Sequence, residues 1–133
     1  MSVNTESRED LENRYKESKG RWEDAMWDKE QAKNAYEGAK SNYETHENEA
    51  EGKWGNDIPP GNTAEYREEL KEERDKKWDE YREASAKEEE ANKEFNGYEK
   101  TNPNTGEKYH EPGVKDEYEN MKKEEEEDND VGY

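Results

Sequence analysis

The sequence predicts an all-α protein: a long antiparallel two-helix coiled-coil hairpin, then a short turn or β-hairpin-like segment, a short third helix and an acidic tail. Three observations predict it. Steps of four and three from Leu11 pass through Tyr15, Ser18, Trp22, Ala25, Lys29, Ala32, Tyr36, Ala39, Tyr43, His46 and Ala50. This is the coiled-coil period, with aromatic residues and alanines on one helical face. Two adjacent prolines and several glycines then interrupt the chain between residues 52 and 62, which no helix can continue through. A second seam follows directly: Arg67, Leu70, Arg74, Lys77, Tyr81, Ala84, Glu88, Ala91, Phe95 and Tyr98.

Residues 1–10 form an acidic lead-in. Thr5 or Ser7 supplies the first N-cap, with Glu6, Glu9 and Asp10 near the positive end of the helix dipole. The first helix is expected over about 8–51. Asp10–Arg14, Glu12–Lys16 and Glu17–Arg21 are acid-before-base pairs four apart, each worth roughly a few tenths of a kcal/mol. Gly20 and Gly38 are its weak points, costing about 1 kcal/mol each relative to Ala. Trp54 and Ile58 in the loop are expected to fold back over the end of the hairpin.

Asn62 or Thr63 caps the second helix, expected over 63–96, with Glu65 completing a capping box and Gly97 ending it at C′. Glu72–Lys76, Glu73–Lys77, Glu83–Lys87 and Glu89–Lys93 support it locally. A short linker makes the two helices antiparallel neighbours, and a register in which facing residue numbers sum to about 113 sets bulky residues against small ones. It faces Trp22 with Ala91, Ala32 with Tyr81, Tyr43 with Leu70 and His46 with Arg67, and places Trp78 in the core opposite Ala35. The hairpin thus occupies 11–97.

Residues 98–133 are more irregular. Two short arms flank Pro103-Asn104-Thr105-Gly106, as a small β-hairpin or a plain loop. Pro112-Gly113 breaks the chain again. Val114, Tyr118 and Met121 share one face of a short helix over about 114–124, and Glu124 onward reads as an acidic, solvated tail.

Composition limits the interior. Hydrophobic residues make up 24% of the 133 and the net charge is −18, a range shared with disordered chains. Trp and Tyr, four and nine in number, supply large buried areas at low rotamer cost, and their ordered spacing favours the hairpin. The charge is uneven. Residues 11–50 carry ten acids against seven bases, whereas 98–133 carry twelve against five. The body is of mixed sign and only the end is strongly acidic.

The sequence predicts no catalysis and no cofactor. His46-Glu47-Asn48-Glu49-Ala50 has Ala50 where a zinc-peptidase helix needs its second His. Asp128-Asn129-Asp130 lacks a following bidentate Glu for calcium. There is no cysteine, no phosphate-binding glycine loop and no nucleophile with a base at a recognisable spacing. No apolar run approaches a membrane span, and acidity argues against direct contact with nucleic acid or anionic lipid.

The expected role is therefore non-enzymatic: a spacer, adaptor or assembly component that binds protein partners, including ones with a basic surface. Self-association is a further alternative. Trp27 falls at the heptad position pointing away from the partner helix, with Met26 beside it and Glu23, Asp24 and Asp28 around it. Met26, Trp27, Trp54, Ile58, Tyr109, Tyr118 and Met121 are the candidate contact residues, and the terminal segment with Tyr109, Val114, Tyr118 and Met121 could instead fold back over Trp27. The hairpin seam comprises Tyr15, Trp22, Ala32, Tyr36, Ala39, Tyr43, Leu70, Trp78, Tyr81, Ala91 and Phe95.

Other roles compete. A viral-type inhibitor that mimics nucleic acid would suit the total charge, but mimicry needs acid rows unbroken by Lys and Arg. A largely disordered solvating protein fits composition alone. The two-helix layout with Trp54-Gly55 at its bend resembles the small secreted hairpins named for a Trp-x-Gly loop, which implies a secreted helical hairpin. Here Trp and Gly are adjacent and the seam is far more polar, so the chain departs from that pattern. A cytoplasmic location is the default expectation, or a virion or host cytoplasm for a viral protein. Secretion without a cleaved signal would leave the same sequence.

Overall fold

Two hydroxyl caps set where the long helices begin. The Ser7 Oγ accepts the Asp10 N–H at 3.1 Å, and the Thr63 Oγ1 accepts the Tyr66 N–H at 3.0 Å. The computed structural model describes residues 7–55 and 57–131, with side chains to Glu125. Most of the acidic lead-in, Thr5 and Glu6 included, lies outside the described residues. The order is α1 (Arg8–Ala50), α2 (Ala64–Asn96), β1 (Tyr98–Thr101), β2 (Lys108–Glu111) and α3 (Val114–Val131). The two long helices pack together as a mainly-α hairpin, as the seam predicts.

Local details depart from expectation in physically clear ways. With Thr63 as N-cap, Tyr66 takes the third helical position and Glu65 the second, so Glu65 supplies first-turn charge but not a capping box. Pairs Glu12–Lys16, Glu73–Lys77 and Glu89–Lys93 form at 3.5–3.8 Å. Arg14 also bonds Glu117 of α3, and Arg21 bonds Glu94 of α2. Helix α3 continues to Val131, beyond its expected end near 124. Glutamate is a good helix former, so the acidic run extends the helix.

The chain divides into two compact units: residues 1–25 with 87–133, and residues 26–86. In the first, Phe95 is 3% exposed. Its ring lies 5.3 Å from that of Tyr15 and 5.6 Å from that of Trp22. Tyr118 of α3 meets Tyr15 edge-on at 4.3 Å. Ser18, on the same face of α1 between Tyr15 and Trp22, is 1% exposed, and its hydroxyl donates to the Tyr15 carbonyl at 3.3 Å.

The segment after α2 is an antiparallel β-hairpin, not a plain loop, with Tyr98 opposite Glu111 and Thr101 opposite Lys108. Its turn is closed by Asn102, whose carbonyl accepts from Gly106 and whose side chain accepts from the Asn104 N–H, each at 2.8 Å. Two isolated strands are marginal. This pair is held because Gly97 and Gly113 let the chain close tightly at its base. A Cβ at Gly97 would lie 2.2 Å from the Glu111 carbonyl oxygen, and one at Gly113 would lie 2.3 Å from the Gly97 nitrogen.

In the second unit the seam is built from ring edges and cationic stems. Trp78 packs on Tyr36 at 4.9 Å and on Tyr81 at 5.8 Å. The Arg74 guanidinium sits 4.7 Å above the Tyr43 ring, and His46 meets Tyr66 edge-on at 5.3 Å. Tyr36–Trp78, His46–Tyr66 and Glu47–Arg67 lie within one residue of the expected register. Trp78 was expected in the core, yet it is 42% exposed. Its position at the flank of the heptad seam lets one edge of the indole pack while the other faces water.

Candidate interaction surface

The loop end of the hairpin is closed by a polar residue. Gly52, at φ 75°, terminates α1 in a Schellman cap: the Lys53 N–H bonds the Asn48 carbonyl and the Gly52 N–H the Glu49 carbonyl, both at 3.1 Å. Asn62 then packs on the α1 terminus. Its amide donates to the His46 carbonyl at 3.0 Å and to Glu49 Oε1 at 2.8 Å, while Arg67 donates to Asn62 Oδ1 at 3.0 Å. Asn62 is the one buried side chain among the described residues of this unit. The expectation that Trp54 and Ile58 cover this end is corrected: both are exposed, and the residue that packs on the α1 terminus is Asn62.

The remaining candidate contact residues separate into two groups. Trp27 is 65% exposed on the side of α1 away from the seam, and Met26, at the flank of the seam, is 39% exposed. Tyr109 on β2 is also exposed. Tyr118 is withdrawn from the contact set, since its ring is buried against Tyr15. Met121 and Val114, on the same face of α3, are half-buried.

The titratable groups show structural roles. At the start of α3, Asp116 Oδ2 accepts the Gly113 N–H at 2.9 Å and lies 2.8 Å from His110 Nε2. The backbone donor first, and His110 second, hold the Asp116 carboxyl below its usual range. Sequence reading missed this half of a capping box, although an acid three residues after Gly113 is its signature. The Glu94 carboxylate raises Arg21, and Asp75 raises Arg74. His46 Nδ1 lies 2.7 Å from the Asn42 carbonyl of its own helix.

No group of three or more metal-binding side chains occurs among the described residues. A shallow cleft of about 270 Å³ is lined by Tyr15, Tyr118, Glu119 and Lys122, and Lys122 lies over the Tyr118 ring at 5.1 Å. Its walls carry no nucleophile paired with a base. No described helix is long and apolar enough to cross a membrane. No family model, curated protein or solved structure matches the chain, so the functional reading rests on its own residues.

Proposed function

We propose that this protein is a non-enzymatic interaction protein: a helical hairpin that serves as adaptor or spacer and offers an indole set among carboxylates to a protein partner. The observation that carries the reading is Trp27, 65% exposed in the middle of a long helix. Trp and Met are enriched at protein interfaces, and Asp28 and Glu30 beside Trp27 favour a partner of positive charge. Mimicry of nucleic acid is less well supported, because Lys33 and Lys40 interrupt the acids on α1.

The test is quantitative affinity purification from the native host with wild type and Trp27→Ala in parallel. The reading expects partners that are depleted by the variant while its helix content, measured by circular dichroism, stays unchanged. Identical partner lists would remove Trp27 as the anchor. Recovery of DNA-binding proteins alone, released by moderate salt, would favour the mimic.

A further inference from the structure

Asn96 is the one asparagine in the chain that is followed by glycine. In that dipeptide the asparagine side chain is most open to attack by its own backbone, because the next residue has no Cβ to shield its nitrogen. The pair stands at the junction of α2 and β1. Asn96 is the last residue of α2 and half-buried, and Gly97 is buried at φ 78°. Glycine is required there: a Cβ would lie 2.7 Å from His110 Nε2 and 2.8 Å from the Gly113 nitrogen. Asparagine before it is not dictated in the same way. Its amide donates to Asn92 Oδ1 at 2.7 Å, one turn back on the same helix, and it is a poor helix former.

The folded unit keeps the pair inert. Ring closure needs the Gly97 nitrogen, stripped of its proton, to reach Asn96 Cγ. In the structure that N–H donates to the Lys93 carbonyl at 2.9 Å, and the helical backbone at Asn96 sets its Cγ out of line with the nitrogen. The Asn96 amide is meanwhile tied to Asn92. These restraints belong to the last turn of α2, against which the base of the β-hairpin packs, and local opening removes them together.

We propose that Asn96–Gly97 is a latent self-modification site, shut while Gly97 is packed at the base of the β-hairpin and reactive when that base opens. In the open chain the Gly97 nitrogen attacks Asn96 Cγ. The new C–N bond closes a cyclic imide, the Cγ–Nδ2 bond breaks, and the proton lost by Gly97 leaves with the amide nitrogen as ammonia. Water then opens the imide at either carbonyl, giving aspartate, or isoaspartate with the main chain running through the side-chain carbon. Isoaspartate lengthens the backbone by one carbon between Phe95, whose ring packs on Tyr15 and Trp22, and Gly97, where a methyl has no room. Aspartate sets a carboxylate at the negative end of α2 and removes the donor to Asn92. Either product opposes closure. A molecule whose hairpin base has stood open long enough is thus marked and withdrawn from the folded pool, without enzyme or partner.

The experiment incubates the full-length protein in one mildly alkaline buffer, with and without unfolding urea. Peptide mapping by mass spectrometry counts aspartate and isoaspartate at position 96. Conversion in native buffer should be at least about tenfold slower than in urea, because it tracks the open population. On dilution from urea, the fraction regaining native circular dichroism should fall in step with isoaspartate. Asn96→Gln, whose longer side chain closes a ring far more slowly, should keep full recovery over the same period. Gly113→Ala, which forces the same base apart, should convert faster than wild type in native buffer. Equal conversion with and without urea overturns the protection, and isoaspartate-bearing chains that refold like unmodified ones overturn the block. Recovery lost equally by Asn96→Gln places the damage elsewhere and overturns the site. A Gly113→Ala protein less stable than wild type that converts at the wild-type rate overturns the link to the hairpin base.

Discussion

Replacing Gly113 by Ala tests the packing that joins the β-hairpin to α2 and α3. The added methyl would sit 2.3 Å from the Gly97 nitrogen, 2.5 Å from the Phe95 carbonyl oxygen and 2.7 Å from its carbon. All three are backbone atoms, so no side chain can turn aside and the base of the hairpin must open. Forcing one carbon into a packed site costs about 1–3 kcal/mol. Moving the segment also disturbs the Gly113 N–H bond to Asp116, worth roughly 1 kcal/mol more. The expected loss is about 2–4 kcal/mol. Gly97→Ala meets the Glu111 carbonyl at 2.2 Å and also sits at φ 78°, adding about 1 kcal/mol of left-handed strain. Urea denaturation followed by circular dichroism gives the free energies. Gly38→Ala is the internal control: it meets nothing and should stabilise by about 0.5–1 kcal/mol. A Gly113→Ala protein that unfolds at the wild-type midpoint would refute the reasoning.

Three further outcomes follow from the same geometry. Phe95→Ala removes the ring on which Tyr15 and Trp22 pack and should cost about 3–4 kcal/mol, read in the same urea titration. Asn62→Ala leaves the His46 carbonyl and Arg67 without their side-chain partner and should cost about 1–3 kcal/mol, with amide exchange rising first near residues 46–50 and 62–67. The Asp116 carboxyl is held low by Gly113 and His110, so its contribution is complete above the ordinary carboxylate range near pH 4 and falls away as pH drops through its lowered value. Exchange at the start of α3 should rise on acidification in wild type, and Asp116→Asn should flatten that dependence.

The periodic parts of the molecule were legible in the letters. Trp22, Tyr36 and Tyr43 recur at heptad spacing on α1 and Tyr81 and Phe95 on α2, Ser7 and Thr63 are capping residues ahead of such runs, and Gly97 stands where a helix must end. What escaped was set by contacts between segments distant in sequence. Gly113 reads as the second half of a Pro-Gly break, and nothing local says that Gly97 will lie against it. Asn62 reads as a cap for the second helix, whereas its burial depends on meeting the end of α1. Tyr118 reads as part of an amphipathic face that docks on the hairpin or on another partner, and only its meeting with Tyr15 decides between them. Glutamates from 124 onward signal both a solvated tail and a helix, and helix propensity decided it.

The spread of charge bears on stability. In most surface helices polarity rises from the packed face to the solvent face. In residues 26–86 the gradient is nearly flat: Arg74 and Lys77 stand on the inner seam of α2, while Trp27, Gln31, Asn34, Gly38 and Ser41 are exposed and uncharged on α1. The helices are joined there by rings and cationic stems that bury less apolar area than leucines would. A protein bound at Trp27 would therefore act on a unit with little internal reserve. At one hundred times its dissociation constant a ligand adds about 2.7 kcal/mol by mass action. A partner captured through Trp27 should raise the thermal midpoint of residues 26–86 and slow exchange along α1 around Trp27. A partner that binds but leaves that exchange unchanged would place its contact elsewhere.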